Sequence, residues 1–412
     1  MTGRPRAPRR PFTGRRVVLG VSGGIAAHKS IQLARDLTLA GAEVDVILTA
    51  AAGEFVRPLS FEALTGRPAY AAFHAPGDPL IHIRLAREAS LVVVAPATAN
   101  FLARAAAGMA DDLLTATLLA TRAPVLVCPA MNDRMYAHPL TAANLERLRE
   151  IGYVAAGPAS GALAWGEGEG EGRMLEPEVI IQHCARSLEG VTPLSGRHVV
   201  VTAGPTREPL DPVRFLGNRS SGRMGYAIAA AAWRRGARVT LISGPSPLPV
   251  PAGAATVPVE TAREMRDAVA GALVDADVLV MAAAVADFRP ARPAAQKVKK
   301  RDGTVAELPL EATDDILLVT REQRPPGCLV VGFALETETA VANAREKLEK
   351  KDLDFIVVND ATESGAGFEV DTNRVVILAR SGEVSELPLL TKYEVADEIM
   401  DRVGNTLSAR AQ

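Results

Sequence analysis

The sequence predicts an α/β protein of two tandem, doubly wound parallel-sheet domains, and three observations carry this. Short, β-branched, nearly continuous apolar runs alternate with helical patterns; the alternation restarts near His198; and Gly and Pro interrupt it at Leu188–Ser195 (LEGVTPLS). Length agrees, because 412 residues exceed what one typical core holds. The expected division is a basic disordered tail over 1–13, a first domain over 14–190 and a second over 191–412.

In the first half, Arg16–Val21, Val44–Thr49, Leu91–Ala95 and Pro124–Cys128 read as buried strands. Ala26–Ala40 between them reads as a helix, with Gly41 where a C′ glycine belongs. The stretch 157–178 breaks the rhythm. Its GEGEGEG (Gly166–Gly172) is too glycine-rich to pack and predicts a mobile loop or flap, with a plain exposed loop as the alternative. In the second half HVVVTAG, GYAIAAAAWRRGA and RVTLISGP repeat strand–helix–strand. DVLVMAAAVADF and CLVVGFALET then stand in the order of LVVVAPATAN and VLVCPAMN.

The 46 basic and 48 acidic residues nearly cancel, so no net field calls for nucleic acid or a membrane surface. Cys128, Cys184 and Cys328 are far apart and odd in number, as expected of reduced thiols in a cytoplasmic protein. The N-terminal RPRAPRRPFTGRR lacks the apolar stretch of an export signal, since VVLGVSGG runs straight into a polar segment with His28, Lys29 and Gln32. No apolar run is long enough to span a bilayer.

GVSGGIAAHKS (Gly20–Ser30) puts glycines at a strand-to-helix turn, where backbone N–H groups and the helix dipole favour a phosphate. No Gly-Lys-Ser/Thr closes it as a Walker loop. The second strand ends at Thr49, not at the acidic residue that holds an adenosine ribose, so a mononucleotide such as FMN fits better than NAD. APATAN (Ala95–Asn100) and PAMNDRM (Pro129–Met135) bring small and amide residues to the same sheet edge. His82 stands in DPLIHIRLA just before the helix leading to Leu91; a lone histidine is more often structural, and His74 eight residues earlier shows how little position decides.

Together GVSGGIAAHK, the His82–Ile83 step, APATAN, AAGMADDL (Ala106–Leu113), PAMNDRM and GRM (Gly172–Met174) resemble the flavoprotein phosphopantothenoylcysteine decarboxylases. The resemblance implies a flavodoxin-like domain in which FMN oxidises a cysteine thiol to a thioaldehyde, the electron sink for loss of CO₂. It implies His82 as catalytic base, Asn132 orienting the substrate carboxylate, Arg173 binding substrate, and Ser22, Gly23 and Gly24 cradling the FMN phosphate near Thr49 and Thr98. The family flap reads ACG-x-x-G-x-GRM, its cysteine donating a proton to the enethiolate. Here LAWGEGEGEGRM is one residue longer and has Trp165 at the cysteine position. Glu167 is the candidate substitute donor, its pKa open to elevation under a closed flap; release of the enethiol after a half-reaction is the alternative.

TAGPTREPLDPVRFLGNRSSGRMG (Thr202–Gly225) inserts a basic, proline-punctuated loop between a strand and a helix starting near Gly225. Gly204, Gly222 and Gly225 permit backbone approach to phosphates, and Arg207, Arg214, Arg219 and Arg223 can neutralise them. AAAVADFRP (Ala282–Pro290), QKVKKRDG (Gln296–Gly303) and AREKLEKK (Ala344–Lys351) follow. Lys347 and Lys351 share a helix face, which is equally the pattern of a charged exposed helix.

This constellation resembles the phosphopantothenate–cysteine ligases, which in bacteria are commonly fused behind the decarboxylase. It implies a Rossmann-like domain that uses CTP with Mg²⁺ to activate 4′-phosphopantothenate as an acyl-cytidylate, which the amine of L-cysteine attacks. Asn218 would stabilise the intermediate, Lys297 assist its formation and Arg214 bind substrate. Met281, Ala282, Ala283, Asp287, Thr313, Asp314, Asp315, Ile316, Phe333, Lys347 and Lys351 would bind CTP, with TDDI standing where the family often has NPDI. A homo-oligomer is implied; metal ligands are not. The alternatives are an active ligase fused to an impaired flavoprotein half, and a two-domain NAD-dependent dehydrogenase.

Overall fold

The computed structural model describes residues 11–73, 78–298, 308–336, 340–360 and 371–411. The chain divides into two units, Met1–Gly190 and Val191–Gln412.

In the first unit β1 (Arg16–Val21), β2 (Glu43–Leu48), β3 (Ala69–Tyr70), β4 (Leu91–Ala97), β5 (Val125–Pro129) and β6 (Val154–Ala155) form one parallel sheet ordered β3-β2-β1-β4-β5-β6. Without the two-residue edge strand β3 the order is that of flavodoxin-like sheets. Successive strand residues face opposite sides. Val17, Leu19 and Val21 therefore pack with Leu33 and Leu37 on one face, while Val18 packs with Val92, Val94 and Leu114 on the other. With both faces covered, the strand sequences need no polar alternation. Helix Ala27–Leu39 ends before Gly41, whose φ of +99° suits the C′ position.

The glycine-rich stretch departs from the expected unpacked loop. β7 (Ala159–Ala162) and β8 (Glu169–Arg173) form an antiparallel hairpin whose register shifts between Ala159 and Ser160. Glycines two apart share one strand face, and that face lies against the chain after β5. A Cβ on Gly172 would meet the Met131 carbonyl oxygen at 2.1 Å, and Met131 N–H donates to the Gly172 carbonyl at 3.0 Å. Phe12, assigned to the tail, is fully buried in the first core because an aromatic ring there removes much apolar surface from water; residues 1–10 lie outside the described set. His82 lies within helix Ile81–Glu88, not before it, since Ile81, Leu85 and Ala86 already form its buried face.

The second unit places β9 (His198–Ala203), the hairpin β10 (Arg207–Pro209) and β11 (Phe215–Gly217), β12 (Arg238–Ser243), β13 (Ala254–Pro258) and β14 (Val278–Met281) before the hairpin β15 (Phe288–Pro290) and β16 (Leu310–Ala312). β17 (Leu329–Glu336), β18 (Phe355–Asp360), β19 (Thr372–Asn373), β20 (Val375–Ala379) and β21 (Val384–Glu386) follow. The main sheet runs β13-β12-β9-β14-β17-β18-β20-β21, and its first six strands have the doubly wound order 3-2-1-4-5-6. It is not wholly parallel: β20 runs antiparallel to both of its neighbours, β18 and β21, and a short turn joins it to β21 as a hairpin. The helix expected near Gly225 begins at Arg223, with Gly222 as N-cap. Among the described residues no helix is long and apolar enough to cross a membrane.

Candidate active sites

In open α/β sheets ligands bind where neighbouring strands lead in opposite directions, beyond their carboxyl ends. In the first unit that point lies between β1 and β4, and Ser22 and Thr98 meet across it. The buried Ser22 hydroxyl donates to the Pro96 carbonyl at 2.8 Å and accepts from Thr98 N–H at 3.1 Å; its oxygen lies 3.2 Å from Thr98 Oγ1. Thr49, just past β2, donates its N–H to Val21 at 3.0 Å and caps the turn Ala50–Glu54. Gly23 lies so close to this turn that a Cβ would come within 2.4 Å of Ala51 Cβ. Ser22, Gly23, Gly24, Thr49 and Thr98 therefore gather at one edge, around the start of a helix whose first turn has no side-chain cap.

His82 occupies the first turn of a helix that runs back against the strands, which sets it toward the same carboxyl edge. Its Nδ1 is buried without a hydrogen-bond partner, and Phe73 lies 5.6 Å from its ring. His74 lies outside the described residues. Asn132, just past β5, caps helix Asp133–Tyr136 by accepting Arg134 N–H at 2.9 Å on Oδ1. β8 docks on this segment, and Arg173 at its end pairs with Glu176 at 2.6 Å, which Lys29 also holds at 2.9 Å. In the hairpin turn Trp165 is fully exposed, and Glu167, also exposed, donates its N–H to Ala164 at 3.0 Å. AAGMADDL has a local role as well: Asp112 and Thr115 form a capping box, and Arg104 bonds both Asp111 and Asp112. Burial pushes the Cys128 thiol up to about 12 and holds Cys184 well above its usual value, so neither supplies a proton readily.

The second unit repeats this plan between β9 and β14. Ala284 N–H donates to Gly204 at 2.9 Å, Ala283 N–H to Thr202 Oγ1 at 3.2 Å and Ala286 N–H to Thr206 Oγ1 at 2.9 Å. Asn218, past β11, reaches this loop from the hairpin, its Nδ2 donating to the Val285 carbonyl at 2.9 Å and to Ala284 at 3.4 Å. Thr313 bonds the Asp287 carbonyl at 3.0 Å and the Ala286 carbonyl at 2.5 Å, which joins 313–316 to 281–287. Lys351 pairs with Asp315 at 2.8 Å. Lys351 stands just past helix Ala340–Lys350, and Lys347 in its last turn is half-buried.

Other expected residues have partners inside the chain. Asp314 pairs with Arg266 at 2.5 Å, and Asp315 also caps Leu318. Arg214 pairs with Asp211, Arg223 with Asp371 at 2.9 Å, and Arg207 stacks over Phe215 at 4.6 Å. Met281 and Ile316 are core residues, Phe333 is half-buried on β17, and Lys297 is exposed with 299–307 beyond it outside the described residues. Thr202, Thr206 and Asp211, all buried, were not singled out in the sequence; the turn-forming DP at Asp211 was the available signal. Among the described residues no group of three or more His, Cys, Asp or Glu gathers to hold a metal.

Two family models match the chain: Flavoprotein over residues 5–189, and the DNA/pantothenate metabolism flavoprotein C-terminal domain over 194–407. The coenzyme A biosynthesis bifunctional protein CoaBC of Bacillus subtilis is 46% identical over 397 residues, covering 95% of this chain and 97% of that protein. Its namesake in Mycobacterium tuberculosis strain H37Rv is 47% identical over 403 residues, covering 94% and 96%. A solved C-terminal domain of a protein of that name is 42% identical and covers 53% of this chain and 99% of its own, with a TM-score of 0.45.

Proposed function

The chain belongs to the bifunctional coenzyme A biosynthesis proteins, which join a flavoprotein domain to a ligase domain, and from that premise we propose how its two sites divide the work. It is an enzyme with decarboxylase and ligase activities on pantothenate-derived substrates. In our reading the second unit joins 4′-phosphopantothenate to L-cysteine at the expense of CTP. The first unit then decarboxylates the adduct to 4′-phosphopantetheine with FMN. What supports this is the repeated geometry: at the switch point of each doubly wound sheet some of the expected residues meet, Ser22 with Thr98 in the first unit and Asn218 with the 284–285 backbone in the second.

The first site fits a mononucleotide phosphate. Ser22, Gly23, Gly24, Thr49 and Thr98 surround a helix start without a side-chain cap, and Gly23 lies where a side chain would collide. FMN held there would supply reversible two-electron redox chemistry. His82 takes up the proton that leaves the substrate thiol, a role suited to a buried ring nitrogen without a partner. Asn132, whose Oδ1 is engaged by the backbone, offers the donor end of its amide to the substrate carboxylate, with Arg173 as the neighbouring cation.

In the second site Asn218 is turned the other way. Two carbonyls hold its Nδ2, so Oδ1 is left to accept a hydrogen bond from the attacking cysteine amine. Lys297, Lys347 and Lys351 offset charge as pyrophosphate leaves, and Asp287, Phe333, 281–283 and 313–316 frame the nucleotide. Mg²⁺ would enter with the CTP phosphates, whose charge it offsets. A homo-oligomer remains part of the proposal.

Trp165 leaves the first site without its family proton donor. Glu167 is our candidate substitute, carried on the hairpin that docks beside Asn132. Glu167→Gln is expected to accumulate the unsaturated thiol, read by mass spectrometry. Full turnover to the saturated product in that variant removes Glu167 from the mechanism; the unsaturated thiol as sole product of the unaltered chain supports the half-reaction.

A further inference from the structure

Asp211 is a buried carboxylate on the β10–β11 hairpin, and every bond it accepts is accounted for. Oδ1 takes the N–H groups of Val213 and Arg214, both at 2.9 Å. Oδ2 takes Val298 N–H at 3.1 Å and the Arg214 guanidinium at 3.0 Å through Nε and 2.5 Å through Nη2. Arg214 Nη2 also donates to the Val298 carbonyl at 2.6 Å. One ion pair thus holds both backbone groups of Val298, a residue in no helix or strand. Ala294 N–H donates to the Leu210 carbonyl at 2.9 Å, so 294–298 is tied to 210–214 at both ends.

Lys297 lies inside the tied segment. Asn218 lies on the same hairpin, four residues past Arg214, and is anchored on Ala284 and Val285. We propose that Asp211, acting with Arg214, is a positioning residue that fixes Lys297 relative to Asn218. This rests on the reading of Lys297 and Asn218 as the ligase centre.

Chemistry favours a carboxylate here over a neutral amide. A buried charge is tolerated only when paired, and an amide in its place accepts fewer bonds and loses the attraction to the guanidinium. The Arg214 guanidinium holds the Asp211 carboxyl well below the usual range, so the clamp stays ionised at any pH near neutrality. Arg214 presents a planar fork, which lets one side chain grip a carboxylate and a carbonyl together; lysine has no such fork.

The test compares Asp211→Asn, Arg214→Lys and Lys297→Gln in the full chain. Pyrophosphate release reports acyl-cytidylate formation, and decarboxylation of supplied phosphopantothenoylcysteine reports the other unit. Displacing a catalytic group by about 1 Å costs on the order of 100-fold. Asp211→Asn is therefore expected to lower kcat for pyrophosphate release ~10- to 100-fold, with the KM for CTP shifted less than about threefold and decarboxylation unchanged. Arg214→Lys is expected to fall in the same direction by less, and it decides the matter if Asp211→Asn does not fold. Unchanged kcat in both variants, or a rise in KM alone, overturns the positioning role. Wild-type kcat in Lys297→Gln instead overturns the ligase-site reading beneath it.

Discussion

Replacing Asn218 with aspartate is expected to stop the ligase after acyl-cytidylate formation. The amide nitrogen now donates to the carbonyls of Val285 and Ala284. A carboxylate would set a charged oxygen against two carbonyl oxygens and lose both donated bonds. The side chain must then turn away, and the acceptor aimed at the cysteine amine is lost. Removal of one preorganised polar group from a reacting centre costs about 10²–10³ in rate. Adduct formation should fall by at least that factor, while CTP-dependent pyrophosphate release continues to about one turnover and the acyl-cytidylate is found by mass. Equal loss of pyrophosphate release would assign Asn218 to nucleotide binding.

The second large effect belongs to His82. His82→Asn keeps a polar side chain in the first turn of its helix but removes the ring nitrogen that lies buried without a partner. General-base contributions run from about 10² to 10⁴ in rate, so decarboxylation of supplied phosphopantothenoylcysteine should fall by that range. The ligase, in the other unit, should be untouched. The purified variant should keep its yellow flavin spectrum, because the proposed phosphate cradle is built from Ser22, Gly23, Gly24, Thr49 and Thr98 and not from His82. Loss of flavin with loss of activity would make His82 a cofactor-holding residue instead.

What the sequence disclosed follows from what leaves a periodic mark. Strands buried on both faces write themselves as unbroken apolar runs, and β1, β2, β4 and β5 fall within one or two residues of their expected bounds. β3 and β6 have two residues each, too short for any period, and their pairing depends on neighbours distant in the chain. The GEGEGEG hairpin was hidden for a related reason. Glycine has no side chain to show a facing pattern, and only the approach of Met131 shows why Gly172 must be bare.

The proposed site was legible where a residue stands in a recognisable motif and obscure where it acts through another part of the chain. Ser22, Thr98 and Asn218 stand in motifs, and the fold gives each a place at a sheet edge. Asp211, Thr202 and Thr206 act through backbone groups from 80 to 87 positions away, a relation that no spacing within one segment expresses. Arg214 stands between the two cases: its charge marked it as an anion contact, while its fork is engaged by Asp211 and Val298.

The central claim is that one chain carries out two successive reactions, and a single incubation tests it. The purified protein is given 4′-phosphopantothenate, L-cysteine, CTP and Mg²⁺, and each species is followed by mass. The account predicts CMP and pyrophosphate, transient phosphopantothenoylcysteine, and 4′-phosphopantetheine as the end product. Phosphopantothenoylcysteine that accumulates without further conversion contradicts the flavoprotein half, and the absence of any cysteine adduct contradicts the ligase half.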